Sequence, residues 1–261
     1  MRINYNSNKN TNYKYLTILY GLLEKEIKRF IIIYHQTILS PIISSFMFVI
    51  ILLFANNNLE ISHIQFILTG SIISAVLQNS FGNSSSSITM SKILGYVTDI
   101  IVPPILPSHI IIAYTLASVL RGLIIAFIMM ICINFFITLI PFNFIILIIM
   151  SLLGGFLMGA LGLLSSIVTN SFEASASITN YIVMPLSMLS GTFYSVKKLP
   201  LILQKINYFN PFFYIIDGFR YGALGIAEVN IIHTIVILVL FNIFIIYLLY
   251  ILIKKGYGLQ K

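Results

Sequence analysis

Met184–Gly222, MPLSMLSGTFYSVKKLPLILQKINYFNPFFYIIDGFRYG, is the stretch around which the rest of the chain falls into order. It begins as the end of an apolar run, breaks at Ser190-Gly191 and turns wetter at Lys197-Lys198-Leu199-Pro200. Two short amphipathic pieces follow, separated by Asn210-Pro211, and apolar sequence resumes at Ile231. Phe193, Tyr194, Tyr208, Phe209, Phe212, Phe213, Tyr214, Phe219 and Tyr221 crowd the segment. Aromatic side chains at this density beside an apolar run fit the polar–apolar boundary of a bilayer, where ring faces stay dry and hydroxyls reach water.

The composition agrees. With 59% hydrophobic and 8% charged residues among 261, and a mean hydropathy of +1.00, the chain lacks the charge that covers a water-soluble domain, typically about 25%. A net charge of +8 would suit a nucleic-acid partner, but most of the positive charge flanks apolar runs, which is the membrane pattern. No nucleic acid is therefore expected. The lone Cys132 lies inside an apolar run and reads as a packing residue. No cleavable leader is read at the start, so insertion would rely on the mature spans.

Working outward, residues 1–15 read as a disordered polar tail and 16–261 as one transmembrane domain. Leu16, Leu19, Leu23, Ile27, Phe30, Ile31 and Tyr34 recur at helical spacing, with Glu24, Lys25, Lys28 and Arg29 largely opposite. This predicts an interfacial amphipathic helix, or else an extension of the first span. Six apolar runs follow, at about 37–54, 64–82, 109–137, 142–168, 178–194 and 231–253. Each is near or above the roughly 20 residues that a helix needs to cross the hydrocarbon. None alternates with period two, and only helices satisfy their own backbone in lipid without strand closure. The expectation is an all-α integral membrane protein with six transmembrane helices. Lys and Arg near the N-terminus, Lys92, and Lys254, Lys255 and Lys261 place both termini in the cytoplasm. Lys197, Lys198, Lys205 and Arg220 then fall outside, against the rule.

The loop expected at 83–108 opens with Ser84-Ser85-Ser86-Ser87 and closes with Pro103, Pro104 and Pro107. Between them Ile93, Leu94, Val97, Ile100 and Ile101 form one apolar helical face, beside Lys92 and Asp99. Such a face must be buried in the membrane interface or in a partner. Arg121 stands near the middle of the third run, where a charge is costly and usually faces the bundle interior. It either contacts an anionic substrate or an ion-pair partner, or hydrogen-bonds backbone carbonyls at a helix interface; its counter-charge is unidentified. Gly154, Gly155, Gly159 and Gly162 mark a close helix contact. Glu173 either meets a partner or caps the fifth helix. Asp217 and Arg220, spaced i,i+3, pair on one helical turn or touch substrate. His, Cys, Asp and Glu show no metal-ligand spacing, and no G-x-x-x-x-G-K-[ST] occurs, so no cofactor is expected in this chain.

G-T-F-Y-S-x-x-x-L-P from Gly191 to Pro200, N-P-x-x-Y at Asn210, Pro211 and Tyr214, and G-F-R-Y-G ending at Gly222 resemble the permease subunits of type-2 ATP-binding cassette (ABC) exporters. The resemblance spans nearly the whole chain. It implies short helices in the outer loop between the last two spans, an outer-segment motif of Gly191, Phe193, Tyr194, Pro200, Asn210, Pro211, Asp217 and Arg220, and location in the cytoplasmic (inner) membrane. It implies a homodimer with two copies of a separate ATPase that holds ATP and Mg. The 93–101 helix would couple to that ATPase, with Glu173 beside it, and drug-like, lipid or polysaccharide molecules would be the cargo. An ion-coupled secondary transporter and a non-transporting membrane scaffold are the alternatives.

Overall fold

The computed structural model describes residues 8–55, 60–96 and 105–258, with side chains from Tyr15 onward apart from 49 and 52–55. Among these residues the chain is helical and holds no strand. Helix α1 is Asn8–Ile32, and a π-turn at His35–Leu39 leads into α2, Ser40–Ala55. Helices α3 (Ile61–Ile93), α4 (Pro107–Asn134) and α5 (Phe144–Val168) follow. Helix α6, Phe172–Ile178, runs through a second π-turn, Thr179–Val183, into α7, Met184–Leu189. After a 3-10 turn at Val196–Lys198 come α8 (Leu201–Tyr208), α9 (Pro211–Leu224) and α10 (Ile231–Lys254).

Four helices, α3, α4, α5 and α10, are long and apolar enough to cross a membrane, and a fifth crossing follows if the α1–α2 pair, bent by 77°, is one span. The expected spans 37–54 and 178–194 are the two that contain π-turns. Expected and observed ends agree closely for α5 and α10. Helix α1 begins at Asn8, so residues 8–15 are helical where a disordered tail was expected.

The largest departure is α3. Serines 84–87 do not open a loop: the helix continues to Ile93, 33 residues in all, or about 50 Å at 1.5 Å per residue. Serine favours turns when its hydroxyl has no better partner than the local backbone. Here consecutive serines, about 100° apart around the axis, face different neighbours. Ser84 shares a 2.6 Å hydrogen bond with Ser118 on α4, Ser85 bonds Ser175 on α6, and Ser86 and Ser87 meet α1. Tertiary partners thus hold a polar tetrad inside a helix.

Helices α3, α4 and α5 form the centre, with α9 wedged against α3, α5 and α10. Gly162 on α5 lies so close to the Phe81 carbonyl of α3 that a Cβ there would collide with it. Helix α9 corrects the boundary reading of the aromatics: Phe212, Phe213, Tyr214 and Phe219 are core residues, whereas Tyr208 and Phe209 remain exposed. Helix α10 is peripheral; 22% of its most apolar window is buried, and Leu240, Ile243, Phe244 and Tyr247 point outward.

Helices α3, α5 and α10 run in one direction and α4 in the other. One end of the bundle gathers Lys92, the C-terminus of α5, α1 and the residues after α10; the other holds the 191–196 loop, α8 and α9. Tyr15 donates to Ser108 across the first end (3.2 Å), and the amide of Asn143 donates to Gly222 across the second (2.8 Å).

Candidate functional site

A groove of about 560 Å³ opens between α2, α3 and the α6–α7 run. Its lining includes Ser40, Ser44, Ser45, Ser71, Ser74, Gln78, Asn79, Thr179 and Thr192, with Phe48 and Phe193 at one end. All of these are uncharged. Several hydroxyls are already used: Ser71 donates to Ile67, Ser74 to Ser187 and Thr192 to Ser187. Ser40, Ser44 and Ser45 have no side-chain partner among the described residues. A concave wall with a few convergent polar groups is the ordinary form of a ligand site.

Arg121 stands behind this wall, 8% exposed. Its Nε donates to the Thr37 carbonyl (3.2 Å) and a terminal nitrogen donates to Asn79 Oδ1 (3.0 Å). Local sequence explains the first bond. The helical donor for the Thr37 carbonyl would be the amide of residue 41, and Pro41 has none; the proline ring also crowds the carbonyl four residues back. The chain opens into the π-turn and Arg121 supplies the missing donor. Of the sequence-level readings, backbone anchoring is what the geometry displays. No carboxylate pairs with Arg121: the ion pairs among the described residues are Lys28–Glu24 and Arg29–Glu26.

On the other face of α6–α7 lies an apolar groove of about 580 Å³, lined by Phe81, Leu161, Leu164, Val183, Leu186 and Phe212 among others. One loosely packed helical run therefore separates a polar groove from an apolar one. Ser85–Ser175 and Ser74–Ser187 tie it to α3.

At the Lys92 end, the lysine thought to rim an amphipathic helix is turned inward. Its Nζ donates to the carbonyls of Ser166 (2.6 Å), Ile167 (3.0 Å) and Thr169 (2.9 Å), capping the C-terminus of α5. Ile93 is the last residue of α3, and 94–96 form a turn with Gly95 at φ +78°, so the helix expected over 93–101 does not begin at Ile93. Ile93 and Leu94 are half exposed, as are Met90 and Tyr96, and Val97, Ile100 and Ile101 lie outside the described residues. Glu173 is exposed in the first turn of α6, and the cap itself is Ser171, whose side chain accepts from the Ala174 amide (3.2 Å). Glu26 is fully buried. Its carboxylate pairs with Arg29 (3.1 Å) and accepts from Ser87 (2.8 Å), while Arg29 also donates to Asn83. Glu26 was not legible as special; its i,i+3 spacing to Arg29 was the available signal.

At the opposite end, Asp217 and Arg220 do not pair. Asp217, 1% exposed, accepts from the amides of Glu228 (2.9 Å) and Val229 (3.0 Å), closing the turn that follows the left-handed Gly225. Arg220 donates to the Gly191 carbonyl (2.7 Å) and lies 3.6 Å over the Phe66 ring. Both residues answer backbone groups that irregular chain leaves unsatisfied. Burial raises the Asp217 carboxyl, opposed by those two amides, and lowers Arg220 to about 10, opposed by Asp217 and Glu228. Gly191 takes φ +84°, which suits glycine. Asn210 accepts from Phe212 and donates to Ser190 (2.7 Å), fixing Pro211 at the start of α9. Tyr194 donates to Leu189 (3.1 Å), Phe193 meets Phe48 at 5.2 Å, and Pro200 precedes α8.

Apolar helices that cover one another only in part, around a groove with polar lining and tied by buried polar bonds, have the architecture of a multi-span membrane protein. The chain belongs to the ABC-2 type transporter family, whose profile matches residues 18–224. It is 32% identical over 254 residues to the inner membrane transport permease YadH of Escherichia coli, covering 94% of this chain and 98% of that one; the permease of that name from Shigella flexneri matches to the same extent.

Proposed function

We propose that this chain is the permease subunit of an ABC exporter of the inner membrane, with the polar groove between α2, α3 and α6–α7 as its half of the substrate pathway. The observation that carries the reading is that groove. A polar, laterally open wall among apolar helices is costly against lipid, and a second copy of the chain would cover it and complete a passage. Six crossings follow when α2, α3, α4, α5, α6–α7 and α10 each count as one, with α1 lying along the interface and α8 and α9 in the outer leaflet. Both termini are then cytoplasmic. Arg220 no longer weighs against that orientation, since its charge is committed to Gly191 and Phe66; the exposed outer lysines are Lys197, Lys198 and Lys205.

ATP and Mg bind two copies of a separate ATPase on the cytoplasmic side. The half-exposed Ile93 and Leu94, with the residues after them and Glu173, are the docking surface. An ion-coupled transporter would need a carboxyl facing the passage. The fully buried acids Glu26 and Asp217 are both engaged, and neither lines the groove.

Isolation of the chain with its native partners tests the proposal. Co-isolation of a P-loop ATPase, lost on Ile93→Asp with Leu94→Asp, is the expected result. Repeated isolation without any ATPase overturns it.

A further inference from the structure

Arg121 is an ionised side chain near the middle of an apolar helix, and its two engaged nitrogens meet neutral oxygens. A guanidinium there pairs with another charge or with backbone carbonyls; Arg121 takes the second course, which holds it in place and leaves its charge unneutralised. Asn79, which accepts from it, is itself part of the groove wall, and Pro41 and Ser40, beside the carbonyl it holds, line the same groove. Ser40, Ser44 and Ser45 add hydroxyl donors with no partner among the described residues. The groove thus offers three free serine hydroxyls among apolar side chains such as Pro41, Ala75 and Met188, and is backed by a positive charge paired with neutral oxygens, with no acidic residue in its lining.

We infer that this groove takes the anionic head of an amphiphile, whose charge supplies the counter-charge that Arg121 lacks, and that it rejects the corresponding cation. The inference rests on the groove being the substrate pathway, and it narrows the cargo to molecules with a phosphate-like or carboxylate head on an apolar tail. The head meets the free serine hydroxyls, and the guanidinium acts on it through one intervening side chain. At such a separation, with the effective dielectric typical of protein sites, opposite-sign heads should differ in affinity by roughly tenfold or more.

The chain contains no tryptophan, so Phe48→Trp places a single reporter at the groove, and Phe127→Trp, on an exposed face of α4, reports bulk partition into the bilayer. In phosphatidylcholine nanodiscs, decyl phosphate, decyl maltoside and decyltrimethylammonium are titrated against both variants. The expected result is a saturable signal at position 48 beyond that at 127, with decyl phosphate at least tenfold tighter than the cation. Arg121→Gln should erase that preference while leaving decyl maltoside unchanged, and Arg121→Lys should retain it. If Arg121→Gln does not run as a monodisperse species, Ser44→Glu at the groove mouth serves instead and should weaken decyl phosphate about tenfold. Equal affinities, a cation preference, no saturable binding, or a preference that survives Arg121→Gln or Ser44→Glu overturns the inference. Competition by phosphatidylglycerol in the disc would assign the site to a resident lipid, and lack of competition to a transported amphiphile; the anion preference stands in both. No ATPase takes part, so failure to recover one would sink the exporter reading and leave this result untouched.

Discussion

Lys92 offers the most direct test of how the bundle is fastened. Lys92→Met keeps most of the aliphatic stem and removes the ammonium. Three carbonyls at the end of α5, those of Ser166, Ile167 and Thr169, then lose a charged donor. Hydrogen bonds to a charged group contribute about 1.5–3 kcal/mol each, but three bonds to one ammonium are not additive. A cation at a helix C-terminus contributes about 0.3–1 kcal/mol more. Water reaches this end of the helix and replaces part of the loss, so a net cost of about 3 kcal/mol is expected. For a chain of this size that corresponds to roughly 5–10 °C in the midpoint of thermal unfolding. The assay is thermal unfolding of the detergent-solubilised protein, followed by circular dichroism and by loss of the monodisperse peak. Lys92→Arg should recover at least half of the shift. A Lys92→Met midpoint within 2 °C of the parent would refute the claim that this ammonium secures α5 to α3.

Other consequences can be measured in the same way. Arg121→Met should destabilise by about 2 kcal/mol, and adding Pro41→Ala should restore about 1 kcal/mol, because an amide at position 41 can then serve the Thr37 carbonyl; strict additivity in a double-mutant cycle would contradict the proline argument. Gly162→Ala drives a methyl into the Phe81 carbonyl and should cost about 1–3 kcal/mol, seen as lower yield of folded protein. Asp217→Ala strands the Glu228 and Val229 amides, each worth about 1–3 kcal/mol when unpaired. Its expected signature is faster proteolytic cutting between α9 and α10, and an unchanged cleavage rate would argue against the anchor.

The apolar spans were legible because bilayer thickness and backbone satisfaction leave few alternatives. Helices α5 and α10 begin and end close to where hydropathy placed them. Position in three dimensions was much less legible. Ser84–Ser87 reads locally as a turn, and only the helices around it make it part of α3. Lys92 reads as a rim charge until the end of α5 is brought against it. The i,i+3 spacing of Asp217 and Arg220 suggested a mutual pair, yet each found backbone groups from another part of the chain. Arg121 was recognised as out of place, and Pro41, its cause, was not. Those two residues stand 80 positions apart, and nothing local links a prolyl nitrogen to a distant guanidinium.

The tetrad on α3 constrains how the protein can move. Ser84, Ser85, Ser86 and Ser87 hold α4, α6 and α1 at successive angles around one axis, so turning α3 in place would break all of these contacts together. Sliding along the axis is limited as well: Lys92 grips the tail of α5, and at the other end Gly70 leaves no room between α3 and the Thr192 carbonyl. A rod about 50 Å long, keyed against rotation and held on both sides of the serine layer, moves as one body with the helices it touches. A push near Ile93 is therefore shared among α1, α4, α5 and α6 at once.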